Sequence, residues 1–297
     1  MRTGPVKSFW LSFFLTLAVV VPVMGSFVLY AALTPQLAPA EQIQSGIPVE
    51  RPGPKHVFSV FAAVAGEEPA FVLLRLDPVA GTFQMVTVPS QTVVLEQEGS
   101  ITLAQAYREA GPARAAKLLG QTLGVAFDRY LAASPEVWGR AAGAAGSARV
   151  NLAGVLTGAE QESLEAEGEV VSLTGSRAAR FLAGSKLEPP AQAALRAAVW
   201  QAFARQNKAA LPALVESLKK DSGYLLTNVN ALDLHHLARS LEYLAGAEPE
   251  AVSLPGGWNR RTGRFELGEE ALALAAGLFP APAETKPAMQ GEKDAEE

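Results

Sequence analysis

Few residues of this chain offer chemistry on their own, and the arginines offer the most. Arg177 and Arg180 stand three apart, a spacing that puts two guanidiniums on one helix face, where they would suit a phosphate; a solvated surface pair is the plainer reading. Paired acids occur as Glu67-Glu68 and Glu269-Glu270. Acid–base work needs carboxylates on opposite sides of a substrate, whereas neighbouring acids at a helix start simply favour the helix dipole. His235 and His236 are adjacent, so on a helix they diverge by about 100° and read as one surface and one core residue rather than two ligands of a single metal. "LPGGWN" lacks the Lys-Ser/Thr partner of a phosphate loop, and its glycines suit a turn. One stretch stays open. In "VPSQT", Pro89 ends a strand-like run and the uncharged Ser90, Gln91 and Thr92 follow, either as a turn or as an active-site loop.

Composition narrows the classes. The 297 residues carry a net charge of −5 and no basic stripe with interleaved aromatics, which excludes a nucleic-acid partner. The absence of cysteine removes disulfides, thiol nucleophiles and thiolate metal sites.

The elements that must position these residues are read from periodicity. Residues 9–33 are uncharged and mostly apolar, long enough to cross a hydrocarbon core of ~30 Å as a helix rising ~1.5 Å per residue. Arg2 and Lys7 precede that run without an acid, so residues 1–8 are expected in the cytoplasm and the rest outside, a single-pass protein of the cell membrane. "VMGSF" and "YAALTPQLAPA" offer small-residue cleavage sites, but the apolar run exceeds a signal peptide's, and a retained anchor is expected. Residues 34–55 are rich in proline and polar groups and read as an extended stalk; residues 280–297 read as a disordered tail.

Between them, strands are expected at 56–64, 71–76 and through 83–88, then a helix over 103–123 broken at Gly111-Pro112. A strand at 129–132, a helix from Ser134-Pro135 and a strand at "SARVNL" follow. Further helices are expected at 174–184, from Pro189, at 212–220 and at 232–245; on the Pro189 helix Val199 and Phe203 should face the core. The end reads as a strand, a Gly-rich loop and a last helix. Such alternation implies a mixed α/β domain with helices covering a sheet.

The order of landmarks resembles the LytR-CpsA-Psr (LCP) family, membrane-anchored bacterial proteins that move glycopolymers from polyprenyl-pyrophosphate carriers onto the cell wall. "FVLLRLDPVAGTFQMVTVP" is similar to the strand-turn-strand leading to that family's Pro-Arg-Asp-Thr. "LAQAYREAGPARAAKLLGQTLGVAFDRYL", "LTGSRAARFL", "LLTNVNALDLHHLA" and "SLPGGWNRRTGRFEL" resemble later segments in the same order. The resemblance, over about residues 56–279, implies a three-layer α/β/α domain whose mixed sheet encloses an apolar tunnel for the polyprenyl chain. Its polar mouth would hold the pyrophosphate with arginines, and a divalent cation such as Mg2+ with aspartates.

The chain departs from the family at that mouth. Ser90 and Gln91 stand where Arg and Asp of Pro-Arg-Asp-Thr would be, with Pro89 and Thr92 kept. Glu68-Pro69-Ala70 replaces a Ser-Asp-Thr, Thr102 and Ala104 replace a Lys and an Asn, and Ala183 and Ser185 replace an Arg-x-Arg. A later Arg-x-x-Arg-Gln becomes Gln192, Leu195 and Arg196. Lys186, Arg196 and Arg177 remain as candidates for lipid pyrophosphate, and Glu68 for a metal, with Ser90, Gln91 and Thr92 as the degenerate catalytic loop. The expectation is therefore a non-catalytic relative that binds polyprenyl-linked glycopolymer or regulates wall assembly with active LCP relatives, needing no cofactor. An active transferase using displaced basic residues and Mg2+, or a wall-side protein scaffold, are the alternatives.

Overall fold

The computed structural model describes residues 50–281, apart from 98, 165–167 and 185. The expected membrane segment, the residues before it, most of the stalk and nearly all of the tail lie outside the described residues. Among the described residues no helix is long and apolar enough to cross a membrane. The chain divides after Arg51, and the unit from Pro52 onward carries every described helix and strand.

A hairpin pair built from β1 (Phe58–Val64), β2 (Ala70–Asp77) and β3 (Thr82–Val88) forms the middle of a six-stranded sheet. Beyond the short hairpin β4 (Val93–Glu96) and β5 (Gly99–Thr102), β6 (Arg129–Ala133) joins β1 in parallel. After the β7 (Ala148–Asn151) and β8 (Val170–Leu173) hairpin, β9 (Leu226–Thr227) and β10 (Glu250–Ser253) take the two edges. The order is β10-β3-β2-β1-β6-β9, with β3–β10 and β1–β6 parallel and the other pairs antiparallel, so the sheet is mixed. Both its faces are buried, which the run "FSVFAAV" already requires: successive side chains point to opposite sides. Val60 and Val64 enter one core and Phe61 and Ala63 the other.

Helices cover each face. On one lie α1 (Leu103–Leu123) and, at the chain's end, α8 (Glu269–Leu278), contributing Leu103, Leu119, Ala271 and Ala275. On the other lie α2 (Pro135–Ala145), α4 (Gly175–Ala183), α5 (Pro189–Gln206), α6 (Leu211–Lys220) and α7 (Ala231–Tyr243); the short α3 (Gly158–Ser163) buries nothing. Ser134 caps α2 by accepting from the Val137 N–H, and Thr102 and Gln105 form a reciprocal capping box on α1. Within α1 the backbone leaves helical geometry at Ala110 and Gly111, with Gly111 at φ 72°, and Pro112 begins the second half. α2 and α4 approach closely because Gly175 has no side chain; a Cβ there would lie 2.2 Å from the Gly139 carbonyl oxygen.

Two sequence expectations need correcting. His56, read as a strand residue, sits fully buried in a 3-10 turn (Pro54–His56), because its Nδ1 accepts from the Gly53 N–H. The expected Gly-rich loop at "LPGGWNRRTGRFEL" is a hairpin of β11 (Gly256–Asn259) and β12 (Arg264–Leu267). Trp258 lies opposite Phe265 with ring centroids 5.2 Å apart, a cross-strand aromatic pair that outweighs the weak strand propensity of the glycines.

Candidate functional site

Arg196 is the centre of the mouth region, and it does not face solvent. It projects from α5 with only 6% of its surface exposed. Its Nε donates to the Leu182 carbonyl at 3.0 Å, Nη1 to the Pro69 carbonyl at 3.5 Å and to the Ser90 hydroxyl, and Nη2 to the Glu68 carbonyl. Three separate segments thus meet on one guanidinium: the β1–β2 turn, the turn after β3 and the end of α4. Packing brings them this close because Gly66 lies against α4, where a Cβ would fall 2.0 Å from the Ala183 carbonyl oxygen. Burial lowers the Arg196 guanidinium to about 10, partly offset by the Glu68 carboxylate, so it stays charged at neutral pH.

The Ser90-Gln91-Thr92 loop is equally occupied. The Ser90 hydroxyl donates to the Pro69 carbonyl at 2.7 Å, and the Thr92 hydroxyl to the Pro89 carbonyl at 2.7 Å. Its carbonyls accept from Ala104, Phe265 and Leu103 N–H groups, which fastens the loop to α1 and to β12. Gln91 Nε2 donates to the Glu68 carboxylate at 3.3 Å. These are the bonds of a structural junction; the loop's polar groups point inward.

The remaining candidates lie apart from that junction in character. Arg177 is half-buried on α4 with its guanidinium 6.0 Å from the Phe181 ring centroid, and Lys186 is exposed in the bend between α4 and α5. His235 is exposed and His236 half-buried, the latter edge-on to His56 at 5.4 Å. Among the described residues no group of three or more His, Asp or Glu side chains could hold a metal. Mg2+, which an active mouth would employ, takes carboxylates and phosphate oxygens. Here Gln91 offers an amide, and the Glu68 carboxylate already faces Gln91 Nε2 and the Arg196 charge. These residues do not fit such an ion.

Behind the mouth, on the face covered by α2, α5, α6 and α7, lies a cavity of about 100 Å³. Its wall includes Val60, Leu74, Met85, Trp138, Trp200, Phe203, Leu214 and Leu237, and its surface is wholly apolar. Neither Ser90 nor Gln91 belongs to that wall. A hollow of this kind stays dry and favours hydrocarbon. Spacing along the sequence places Val199 and Phe203 on the inward face of α5 but marks no residue as lining a hollow; Trp138 and Trp200, in edge contact at 4.7 Å, carry only their apolar spacing as a signal.

Comparison with known proteins supports the fold. No family model matches the chain, and no curated protein matches its sequence. Among solved structures, TagV of B. subtilis aligns over 77% of this chain and 99% of its own, at 16% identity and TM-score 0.57. The Lin1025 protein of Listeria innocua aligns over 77% and 97%, at 17% identity and TM-score 0.52. B. subtilis TagT aligns over 76% and 91%, at 16% identity and TM-score 0.57, and TagT has also been solved bound to LIIa-WTA. The likeness is one of fold, and the α/β architecture of this chain is that of the TagV and TagT structures.

Proposed function

We propose that this chain is a membrane-anchored cell-envelope protein whose outward-facing LCP-like domain binds polyprenyl-linked glycopolymer without transferring it, and regulates wall assembly alongside active relatives. The observation that carries this reading is the use of Arg196: its donors meet the carbonyls of Glu68, Pro69 and Leu182 and the Ser90 hydroxyl. A pyrophosphate would have to displace those acceptors from a buried charge, and no basic side chain stands at position 90 or 91 to assist. Loss of several transition-state stabilisers of ~3 kcal/mol each removes most catalysis. The apolar cavity supports the lipid half of the reading, since burying methylenes there gains about 0.8 kcal/mol each. A long chain needs more than about 100 Å³, so the helices over the cavity would have to part to admit it. The LCP neighbours include TagT with wall teichoic acid polymers bound, which supports a glycopolymer as the cargo.

The test is retention of radiolabelled polyprenyl phosphate by the purified chain, together with an assay for phosphate release from a polyprenyl-pyrophosphate glycan with and without Mg2+. Retention without release is expected. Metal-dependent release that vanishes in Arg196→Lys would establish an active transferase instead.

A further inference from the structure

The indole N–H groups of Trp138 and Trp200 have no task in the glycopolymer reading, and they find no acceptor among the described residues. Both residues are more than nine-tenths buried, at 8% and 6% exposed, and both rings stand in the wall of the apolar cavity. Trp138 comes from α2 and Trp200 from α5, and their rings meet edge to face with centroids 4.7 Å apart. A neighbouring π face is a weak acceptor, and in such a contact it serves one N–H at most.

Buried donors without an acceptor are rare, because each forfeits the bond it had to water. Here two of them adjoin one hollow, although every other residue of the wall is aliphatic, phenylalanine or methionine. Water does not answer them. A buried water needs several polar partners, and the side chains of this wall offer donors alone, which leaves both of the water's own hydrogens unbonded. An oxygen that only accepts carries no such cost.

We propose that the cavity selects an apolar molecule carrying an acceptor-only oxygen, a carbonyl or an ether, which receives a hydrogen bond from Trp138 Nε1 or Trp200 Nε1. A plain isoprenoid segment offers no such atom and leaves both donors unmet. The nitrogens are not part of the cavity's apolar surface although their rings are, so the movement that admits an occupant is also what presents them. The inference rests on the reading of the cavity as a lipid site and narrows it: an acyl chain with its ester carbonyl suits this wall better than hydrocarbon alone.

A hollow of about 100 Å³ is smaller than the ~150 Å³ that holds benzene, so five-membered rings are the probes. The test titrates the purified full chain with cyclopentanone and methylenecyclopentane, which differ by a carbonyl against an exocyclic methylene, and with cyclopentanol, whose hydroxyl also donates. Dividing each affinity by the compound's cyclohexane–water partition coefficient removes the cost of leaving water. On that scale cyclopentanone should exceed methylenecyclopentane about tenfold, as expected when a buried donor regains an acceptor, with cyclopentanol between them. The preference should vanish in Trp138→Phe or in Trp200→Phe, whichever indole donates, while methylenecyclopentane still binds; a merely structural tryptophan would weaken all three probes alike. In NMR spectra the indole N–H resonance of the donating tryptophan should move downfield with cyclopentanone and not with methylenecyclopentane, and that of Trp258, outside the cavity wall, should stay in place. Equal normalised affinities, no binding of any probe, or a ketone preference that survives both substitutions overturns the proposal. Ala204→Leu, which fills the cavity, should abolish binding of all three, and binding that persists in it overturns the proposal as well. Polyprenyl phosphate retained with no ketone preference would overturn this inference alone; a ketone preference without polyprenyl retention would leave it standing and overturn the polyprenyl reading.

Discussion

The mouth and the cavity occupy neighbouring parts of one domain and are built in opposite ways. At the mouth every strong donor of Arg196 is matched by an acceptor, and the loop around it is fastened at Ser90, Gln91 and Thr92. In the cavity about 100 Å³ is left unfilled between apolar side chains. Protein interiors are close-packed, so a persistent apolar hollow forfeits contacts that folding alone would keep. The contrast is between a polar junction whose groups are all bonded and an apolar region that is not filled.

The contrast can be broken most directly at Arg196. Arg196→Ala should destabilise the domain by about 3–5 kcal/mol in urea denaturation, because three carbonyls and a hydroxyl lose their donor. A loss under about 1 kcal/mol would return Arg196 to the residues kept for a ligand. Ser90→Ala should follow at about 2 kcal/mol, since it leaves a buried N–H of Arg196 under-satisfied. At the cavity the sign should reverse. Ala204→Leu should raise stability by about 1 kcal/mol, read as a higher Tm, while excluding lipid.

A second effect of that size is expected at Asp233, the reciprocal partner of the Asn230 cap on α7, the helix that gives Leu237 and Leu241 to the cavity wall. Burial acts to raise its carboxyl, but the Arg129 guanidinium and the Asn230 cap outweigh that and hold it below the usual aspartate range. Such a group stabilises above its unfolded pKa and loses the contribution as pH falls through the folded one. Asp233→Asn should therefore cost about 1 kcal/mol at neutral pH, and circular-dichroism melts at pH 3 and below should show the difference from wild type shrinking.

Much of this arrangement is legible residue by residue. The break at Gly111-Pro112, the Ser134 and Thr174 helix starts and the inward faces of Val199 and Phe203 follow from short-range rules, and each is present. The β11–β12 hairpin is not, because its signal is the contact between Trp258 and Phe265, seven positions apart. Arg196 is legible only as a charge near the mouth; its partners Glu68 and Pro69 are more than 120 residues away.

Side-chain identity and spacing were enough to mark most of the strands and helices and to require that both faces of the sheet be buried. Where the charge of Arg196 goes and where the hollow lies were settled by the packing of distant segments, which no local pattern encodes. A guanidinium pairs with whichever acceptors the fold delivers, and a cavity exists only where several helices fail to close on the same strands.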